Sequence, residues 1–352
     1  MSILIFITIT LISAGIAPLV ISLYKKHNWL DDPKKLPHAK KTHLKPVPRG
    51  GGLVVLTGIL AGSLFFLNLD QYLVSILIGA SLLTVVGVID DIWDISPFIR
   101  LGTGLIASLL VVNAGINIGY VSNPFGPGIL TIPKIEFLSG SFFNEVFSLP
   151  GIITIFFILW NMNILNWSKG VDGQLPGFVS ISAIFIGILS LKFIGDPTTF
   201  NTLYLSFIVA GAYFGLLIWN WYPQKMMPGY GAGSLAGYFL SILAILSGAK
   251  LATTLMVIAL PTADGIFTIA RRILAGKSPF WGDRGHLHHK LMDLFGWGKR
   301  RIAIFYWLVS LLLGSLSLLM NTTGKIITFL ITVAFVFSFL IWAKWYSVKK
   351  QN

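Results

Sequence analysis

Long apolar stretches constrain this chain more than any other feature of its sequence. Eleven of them come close to the roughly 20 residues that a helix needs to cross the hydrocarbon core of a bilayer. A backbone in that core must satisfy its own hydrogen bonds, so these stretches predict helices. They cover approximately residues 2–23, 52–69, 71–89, 98–114, 150–166, 174–194, 200–219, 232–248, 250–270, 302–320 and 324–345. The sequence therefore predicts an all-α, polytopic membrane protein, with residues 1–352 forming one integral membrane domain.

The overall composition supports this class and excludes others. Charged residues make up 11% of the chain, against about 25% in a typical soluble domain. The net charge of +13 is spread over short loops between the spans. That distribution suits cytoplasmic loops and anionic lipid headgroups, or an anionic substrate, better than nucleic acid. The chain has no cysteine, which excludes disulfides and thiolate metal sites.

The basic residues also predict the orientation of the chain. Segments 24–49 and 271–301 each contain eight lysines or arginines, and such segments stay on the cytoplasmic side. With eleven spans, the N-terminus is then outside and the C-terminus inside. The outer loop 115–149 contains a Pro-Phe-Gly-Pro-Gly turn followed by weak alternation, which predicts a short β-hairpin.

An acidic stretch ends the third predicted span. Asp90 and Asp91 are adjacent, and Asp94 follows one helical turn after Asp90, in a chain with only 13 acidic residues. Carboxylates at the end of a span are costly and usually have a task. Adjacent carboxylates suit a divalent cation such as Mg²⁺ beside a phosphate. The alternative is a polar helix end at the headgroups. Arg100 lies one turn into the next span.

Two glycine-rich segments predicted to be cytoplasmic could bind an anion. Lys45-Pro-Val-Pro-Arg49 precedes three glycines, whose N–H groups can approach an anion closely. The stretch 229–234 has three glycines and a serine that lead into a helix, a geometry that can hold phosphate on N–H groups. Close packing of helices through small residues explains the same glycines.

A polar segment follows the fifth predicted span. Asn163 and Asn166 are three residues apart and share a helix face, and a glycine-hinged turn with Asp172 comes next. Amides can contact a base or a sugar, and the carboxylate can bind a metal or orient a hydroxyl group. Helix C-capping by asparagine is the alternative.

A histidine-rich loop lies near the C-terminal end of the second basic segment. Arg284, His286, His288 and His289 fall within six positions. On a helix, His286 and His289 would share a face and His288 would point elsewhere. Arg284 and Lys290 would repel a zinc ion, so the loop favours anion binding over metal binding. A solvated basic loop is the alternative.

Together these segments resemble the membrane polyprenyl-phosphate N-acetylhexosamine-1-phosphate transferases, the family that contains MraY and WecA. The motifs that carry the resemblance are Asp90-Asp91, Asn166–Gly173, Pro261-Thr-Ala-Asp264 with Arg271-Arg272, and the loop from Ser278 to His289. The histidine loop is the most specific of them and is closer to the WecA branch. The similarity covers nearly the whole chain.

The resemblance implies an enzyme that transfers a sugar 1-phosphate, an N-acetylhexosamine, from a UDP-sugar to polyprenyl (undecaprenyl) phosphate and releases UMP. This is the first membrane step in the assembly of a cell wall or surface polysaccharide. The implied location is a bacterial-type inner membrane with a cytoplasmic active site. The implied partners are a UDP-sugar, polyprenyl phosphate and membrane lipids, without nucleic acid, and a homodimer is left open.

The resemblance also implies roles for individual residues. Catalysis falls to Asp90, Asp91 and Asp172, with Mg²⁺ held by Asp91 and Asp172 at the diphosphate. The residues implied in substrate binding are Lys45, Arg49, Arg100, Asn163, Asn166, Lys169, Asp264, Arg284, His286, His288 and His289.

Two positions depart from the pattern of that family. Lys169 stands where the Asn-x-x-Asp-Gly motif has its first aspartate, and Gly231 stands where a Gly-Asp-x-Gly-Ser motif has an aspartate associated with Mg²⁺. Lys169 then meets the substrate phosphates in part instead of the metal, or the chain only binds a nucleotide sugar or lipid phosphate. A transporter is a third possibility, although transporters place charges near the midplane, often with repeat symmetry.

Overall fold

The computed structural model describes residues 1–34, 42–137, 144–191, 199–248, 251–278 and 284–349. Within them it contains thirteen helices and four short strands. Asp283, which was predicted to be cytoplasmic, lies outside the described residues, as do Lys35, Lys40 and Lys41 of the first basic segment.

All eleven predicted spans correspond to helices, one of them to a pair of helices. The helices are α1 Ser2–Lys26, α2 Gly51–Phe66, α3 Gln71–Trp93, α4 Pro97–Asn113, α5 Leu149–Trp167, α6 Gln174–Ser190, α7 Thr199–Asn220, α8 Gly229–Leu246, α9 Leu251–Val257, α10 Ala259–Leu274, α11 Leu287–Phe295, α12 Lys299–Leu319 and α13 Thr322–Lys349. Seven of them are long and apolar enough to cross a membrane: α1, α3, α5, α7, α8, α12 and α13. The all-α, polytopic class predicted from the sequence is confirmed.

The remaining apolar helices are shorter or broken. Helices α2, α4 and α6 are apolar but fall below membrane length, and the pair α9–α10 bends by 81°. The predicted continuous span 250–270 is therefore corrected to two helices. Pro261 explains the break, because it has no N–H to donate to the carbonyl four residues earlier, in the last turn of α9.

Helix α8 lies at the centre of the bundle, with 94% of its span buried. Glycines let its N-terminal turn approach two other helices at backbone distance. A Cβ added at Gly87 of α3 or at Gly52 of α2 would lie 2.6 or 2.8 Å from the Cα of Gly231. Small residues permit such close crossings of membrane helices, and this crossing sets the end of α3 beside the start of α8.

Two small antiparallel strand pairs lie in the loops. Tyr120–Ser122 (β3) pairs with Ile129–Thr131 (β4), which confirms the predicted hairpin. Leu30–Asp31 (β1) pairs with Val47–Pro48 (β2), and this pair was not predicted. It ties the chain after α1 to the chain before α2, so the first basic segment returns to the bundle at a fixed position.

Candidate active site

A cavity of about 270 Å³ lies at one end of the bundle, where most of the predicted segments meet. This size is near the lower end of ligand pockets in proteins. Its polar and aromatic lining consists of Asp31, Thr42, His43, Arg49, Asp90, Asp91, Asp94, Arg100, Asn163, Asn166, Trp167, Lys169, Tyr230, Arg272, His286, His288 and His289. Ten of the fourteen residues assigned from the sequence therefore come together around one cavity.

Asp91 occupies the N-terminus of α8. Its Oδ1 accepts a hydrogen bond of 3.0 Å from the backbone N–H of Tyr230, the second residue of that helix. Its Oδ2 lies against the Cα of Gly229, which has φ +66° and leaves no room for a Cβ. A carboxylate is favourable at this end of a helix dipole. The first N–H groups of α8, predicted to hold a phosphate, therefore already serve Asp91 in part.

Lys169 lies beside this carboxylate. Its Nζ donates a hydrogen bond of 2.6 Å to the carbonyl oxygen of Gly229. Burial lowers the pKa of the Lys169 ammonium, and the nearby carboxylates of Asp91 and Asp90 favour its charged form.

Asp90 and Arg100 form an ion pair in the cavity. Nη1 of Arg100 lies 3.3 Å from Oδ1 of Asp90, whose side chain is almost fully buried. The guanidinium also lies over the ring of Tyr230, 5.7 Å from its centroid, and the Tyr230 hydroxyl donates to the backbone carbonyl of Arg100. These contacts fix the direction of the guanidinium toward the cavity.

A second ion pair joins the first basic segment to the site. Nη2 and Nε of Arg49 lie 2.7 and 3.1 Å from Oδ2 of Asp31, and Nε2 of His43 lies 3.1 Å from the backbone oxygen of Asp31. Sequence reasoning assigned Arg49 but missed Asp31 and His43. A signal was available, because Asp31 and Asp32 are the acids of an otherwise basic segment, residues 24–49.

The three histidines all line the cavity, but not in the predicted way. Helix α11 begins at Leu287, and His286 precedes it in an extended conformation. The reason is Asp264, whose carboxylate accepts from the Leu287 N–H at 2.8 Å and contacts His286 Nδ1 at 2.9 Å. The rings of His286 and His288 stack 5.6 Å apart. The predicted separation of His288 from the other two histidines is therefore wrong.

Several polar atoms of the lining are buried without a hydrogen-bond partner in the described part of the chain. They include Oδ1 of Asn166 and Nδ1 of both His288 and His289. Burial lowers the pKa of His289 to about 4 and that of His288 well below its usual range. Both rings are thus neutral at physiological pH. Buried polar atoms of this kind are costly unless a partner satisfies them, which a bound ligand can do.

Four assigned residues do not line the cavity. Lys45 is exposed to solvent, and Arg284 forms a half-exposed ion pair with Asp293 at 2.7 Å. Asp264 lies behind His286 and positions it, as described above. Contacts with substrate, which the resemblance implied for these three, are therefore not supported by their positions.

Asp172 is the fourth, and its position changes the predicted metal site. Its Oδ1 lies 2.9 Å from Nζ of Lys299 at the start of α12, and its Oδ2 accepts from the backbone N–H of Gln224. The side chain is almost completely buried. Asp172 therefore holds three segments together outside the cavity, and its position does not support the predicted sharing of one ion with Asp91, which stays a prediction.

The remaining side chains do not make a convincing Mg²⁺ site either. Among the described residues no group of three histidine or acidic side chains is arranged to hold a metal ion. Asp90 and Asp31 are paired with arginines, and Asp91 lies beside Lys169. A Cβ at Gly231 would point at the Cα of Gly52, 3.1 Å away, so position 231 has little room for a ligand side chain. The donor set does not fit the predicted ion.

The fold and this cavity define a polytopic membrane protein with a cavity lined by acidic and basic side chains at one end of its bundle. The profile of the family described as Glycosyl transferase family 4 matches residues 73–248, which is half of the chain. The chain belongs to this family. The matched region includes Asp90, Asp91, Arg100, Lys169 and Tyr230 of the cavity.

Curated relatives match over most of their length. A Bacillus subtilis protein named as a probable undecaprenyl-phosphate N-acetylglucosaminyl 1-phosphate transferase is 27% identical, over 93% of this chain and 87% of that protein. A decaprenyl-phosphate N-acetylglucosaminephosphotransferase of Mycolicibacterium smegmatis is 24% identical, over 82% and 76%. An undecaprenyl-phosphate alpha-N-acetylglucosaminyl 1-phosphate transferase of Salmonella typhi is 26% identical, over 99% and 90%.

Proposed function

We propose that this protein is an integral membrane enzyme that transfers an N-acetylhexosamine 1-phosphate from a UDP-sugar to polyprenyl phosphate and releases UMP. Its membership of glycosyl transferase family 4 and the names of its relatives support this reaction. The observation that carries the proposal is the cavity, in which basic side chains from distant segments converge at the end of an apolar bundle. A lipid phosphate and a nucleotide diphosphate can meet at such a place.

The reaction itself is a displacement at phosphorus. An oxygen of the lipid phosphate forms a bond to the β-phosphorus of the UDP-sugar, and the bond from that phosphorus to the bridging oxygen breaks. UMP leaves with the electron pair. The lipid phosphate needs little help from a base, because its second pKa is about 6. Catalysis then consists mainly of positioning and of neutralising charge on two anions.

The lining suggests a division of roles. We assign phosphate binding to Arg49, Arg100, Lys169 and Arg272, which are the basic side chains of the cavity. Asn163 and Asn166, on one face of α5, suit hydrogen bonds to the uracil or the sugar. The neutral rings of His288 and His289, with their unpaired Nδ1 atoms, suit sugar hydroxyl or phosphate oxygens.

The wider setting follows the same proposal. We infer one membrane domain over residues 1–352, with the N-terminus outside, the C-terminus inside and the cavity facing the cytoplasm of a bacterial-type cell. Members of the family generally depend on a divalent metal ion, and Mg²⁺ was the ion predicted from the sequence. The residues of this cavity favour a basic side chain as the source of positive charge at the substrate, in place of a metal ion.

A direct assay tests the proposal. Purified protein in lipid nanodiscs is mixed with undecaprenyl phosphate and each of a panel of UDP-sugars, and UMP release and the lipid product are followed by mass spectrometry. We expect Arg100→Met to lower transfer about 100-fold, as removal of a charge preorganised at the reacting phosphates does. Lys225→Met, an exposed residue packed on Trp219, is the matched control. If the wild type binds a UDP-sugar but transfers nothing, the protein is a binding-only member of the family and not an enzyme.

A further inference from the structure

The acidic and the basic side chains that line the cavity are equal in number. Four aspartates and four basic residues face it, one of the latter being Lys169, and at least two of the histidines are neutral because burial lowers their pKa. If position 169 carried the aspartate of the family's motif, the lining would have five acids and three bases. The difference of two charges equals the charge of one divalent cation.

The ammonium of Lys169 is also held in a fixed place. It donates to the Gly229 carbonyl at 2.6 Å, and the Cα of that same glycine lies against the carboxylate of Asp91. Asp91 in turn is anchored on the first turn of α8. Lys169 is therefore held on the cavity wall by the first residue of α8, in the same turn on which Asp91 is anchored.

A divalent ion would find poor ligands beside this ammonium. Mg²⁺ requires near-octahedral oxygen ligands and dehydrates reluctantly. Asp91 already accepts a backbone hydrogen bond and lies beside Lys169, and Asp90 is paired with Arg100. The lysine would also repel a dication at close range, and the effect is strongest where water is excluded.

We propose that the Lys169 ammonium is the resident cation of this site, which neutralises the diphosphate of the nucleotide sugar and the departing UMP in place of a divalent metal ion. The inference rests on the proposed function for its substrate. It means that this transferase works without added Mg²⁺. No proton has to move at Lys169, since the ammonium only stabilises charge on the oxygens that leave with UMP.

Two measurements on the full-length protein in nanodiscs test this. The first is transfer from UDP-N-acetylglucosamine to undecaprenyl phosphate in EDTA and in a Mg²⁺ titration. We expect the rates to agree within about twofold, because no charge stabilisation is lost when the metal is removed. A loss of about tenfold or more in EDTA that Mg²⁺ restores would overturn the inference.

The second measurement is the affinity for UDP-N-acetylglucosamine in EDTA, by calorimetry. We expect the wild type to bind without metal and Lys169→Met to bind about tenfold or more weakly, because the buried charge has gone. The control Lys225→Met should bind like the wild type, and a thermal unfolding curve checks that Lys169→Met is folded. Equal affinity of folded Lys169→Met and wild type would also overturn the inference.

The two measurements separate this inference from the proposed function. If no UDP-sugar supports transfer but the wild type binds UDP-N-acetylglucosamine in EDTA through Lys169, the proposed transferase function is wrong and the role of Lys169 as the resident cation is supported. If transfer occurs only with Mg²⁺, the transferase function is supported and the role of Lys169 is wrong. If binding itself requires Mg²⁺, Lys169 does not act as the cation.

Discussion

Two lysines of the protein each lie near an aspartate: Lys169 near Asp91, called the cavity pair, and Lys299 against Asp172, called the sealed pair. Lys169 lies beside Asp91 in the lining of the cavity. Lys299 contacts Asp172 at 2.9 Å outside it, where Gln224 completes the hydrogen bonding of the carboxylate. The resemblance to a known family led to both aspartates being assigned to one metal ion, whereas in the structure Asp91 accepts from the Tyr230 N–H near Lys169 and Asp172 contacts Lys299.

The difference between the pairs is access to a ligand. Lys169 of the cavity pair can contact a phosphate, because one side of the pair faces the open volume of the cavity. The sealed pair, Asp172 with Lys299, is enclosed by the turn after α5, the segment after α7 and the start of α12, so its interactions are satisfied within the protein. An ion pair buried in this way fixes an arrangement of segments and adds little net stability.

Reversing the charge of the cavity lysine should have the largest effect. Lys169→Asp leaves five carboxylates and three basic side chains facing the substrate. We expect transfer in EDTA to fall about 1,000-fold, or roughly 4 kcal/mol of transition-state stabilisation. The measurement is the initial rate of UMP release. We expect Mg²⁺ to restore at least about tenfold in this variant, since the extra acids attract a cation.

The wild type and Lys225→Met serve as controls in the same titration, and neither should respond to Mg²⁺. An unchanged rate for Lys169→Asp would show that the cavity pair has only a structural role, as the sealed pair does. The proposed difference in function between the two pairs would then be wrong.

Breaking the sealed pair should have the next largest effect, and on stability instead of catalysis. Asp172→Ala leaves Lys299 buried without its carboxylate, which typically costs about 3 kcal/mol or slightly more. The measurement is reversible unfolding in mixed micelles. We expect the rate per folded molecule to stay within about threefold of the wild type, because Asp172 does not face the cavity. If Asp172→Ala were as stable as the wild type but inactive in transfer, Asp172 would have to act in the reaction itself.

Removing both charges of the sealed pair together should affect stability less than removing Asp172 alone, whereas removing both charges of the cavity pair should still abolish transfer. Asp172→Leu with Lys299→Met replaces the sealed pair by apolar groups, and such replacements are often neutral or stabilise the fold by about 1–4 kcal/mol, so we expect no loss of stability. Asp91→Asn with Lys169→Met should instead remain inactive. Double-mutant cycles in stability and in rate measure the two couplings. Equal behaviour of the two double variants would contradict the distinction.

The exposed pair of Arg284 and Asp293 should give the smallest effect. Both side chains are 38% exposed, and surface pairs contribute about 0–1 kcal/mol. We expect Arg284→Gln to change stability within this range and to leave UMP release within about twofold. Raising the salt concentration should reduce even this difference. A loss of transfer like that of Lys169→Asp would place Arg284 at the substrate.

The sequence alone was sufficient for the features that depend on local composition. Apolar length located a helix or helix pair for each of the eleven predicted spans, of which seven helices are long enough to cross a membrane. The polar residues at the span ends included Asp90, Arg100 and the asparagines of α5, which line one cavity. The sequence was insufficient where a partner is distant. Lys299 is 127 residues from Asp172, and nothing near Asp172 indicates that contact. His286 was placed on a helix because its spacing allowed it, whereas a carboxylate from α10 holds it outside.

The bond between Asp91 and Tyr230 also bears on the biogenesis of the protein. A ribosome completes α3 long before it reaches α8, because the two residues are 139 positions apart. During that interval the Asp91 carboxylate lacks the Tyr230 N–H group that donates to it in the folded protein. A chain that stops before α8 also lacks the Gly231 backbone on which Gly52 and Gly87 pack. Nascent chains truncated there should therefore be prime substrates for membrane proteases.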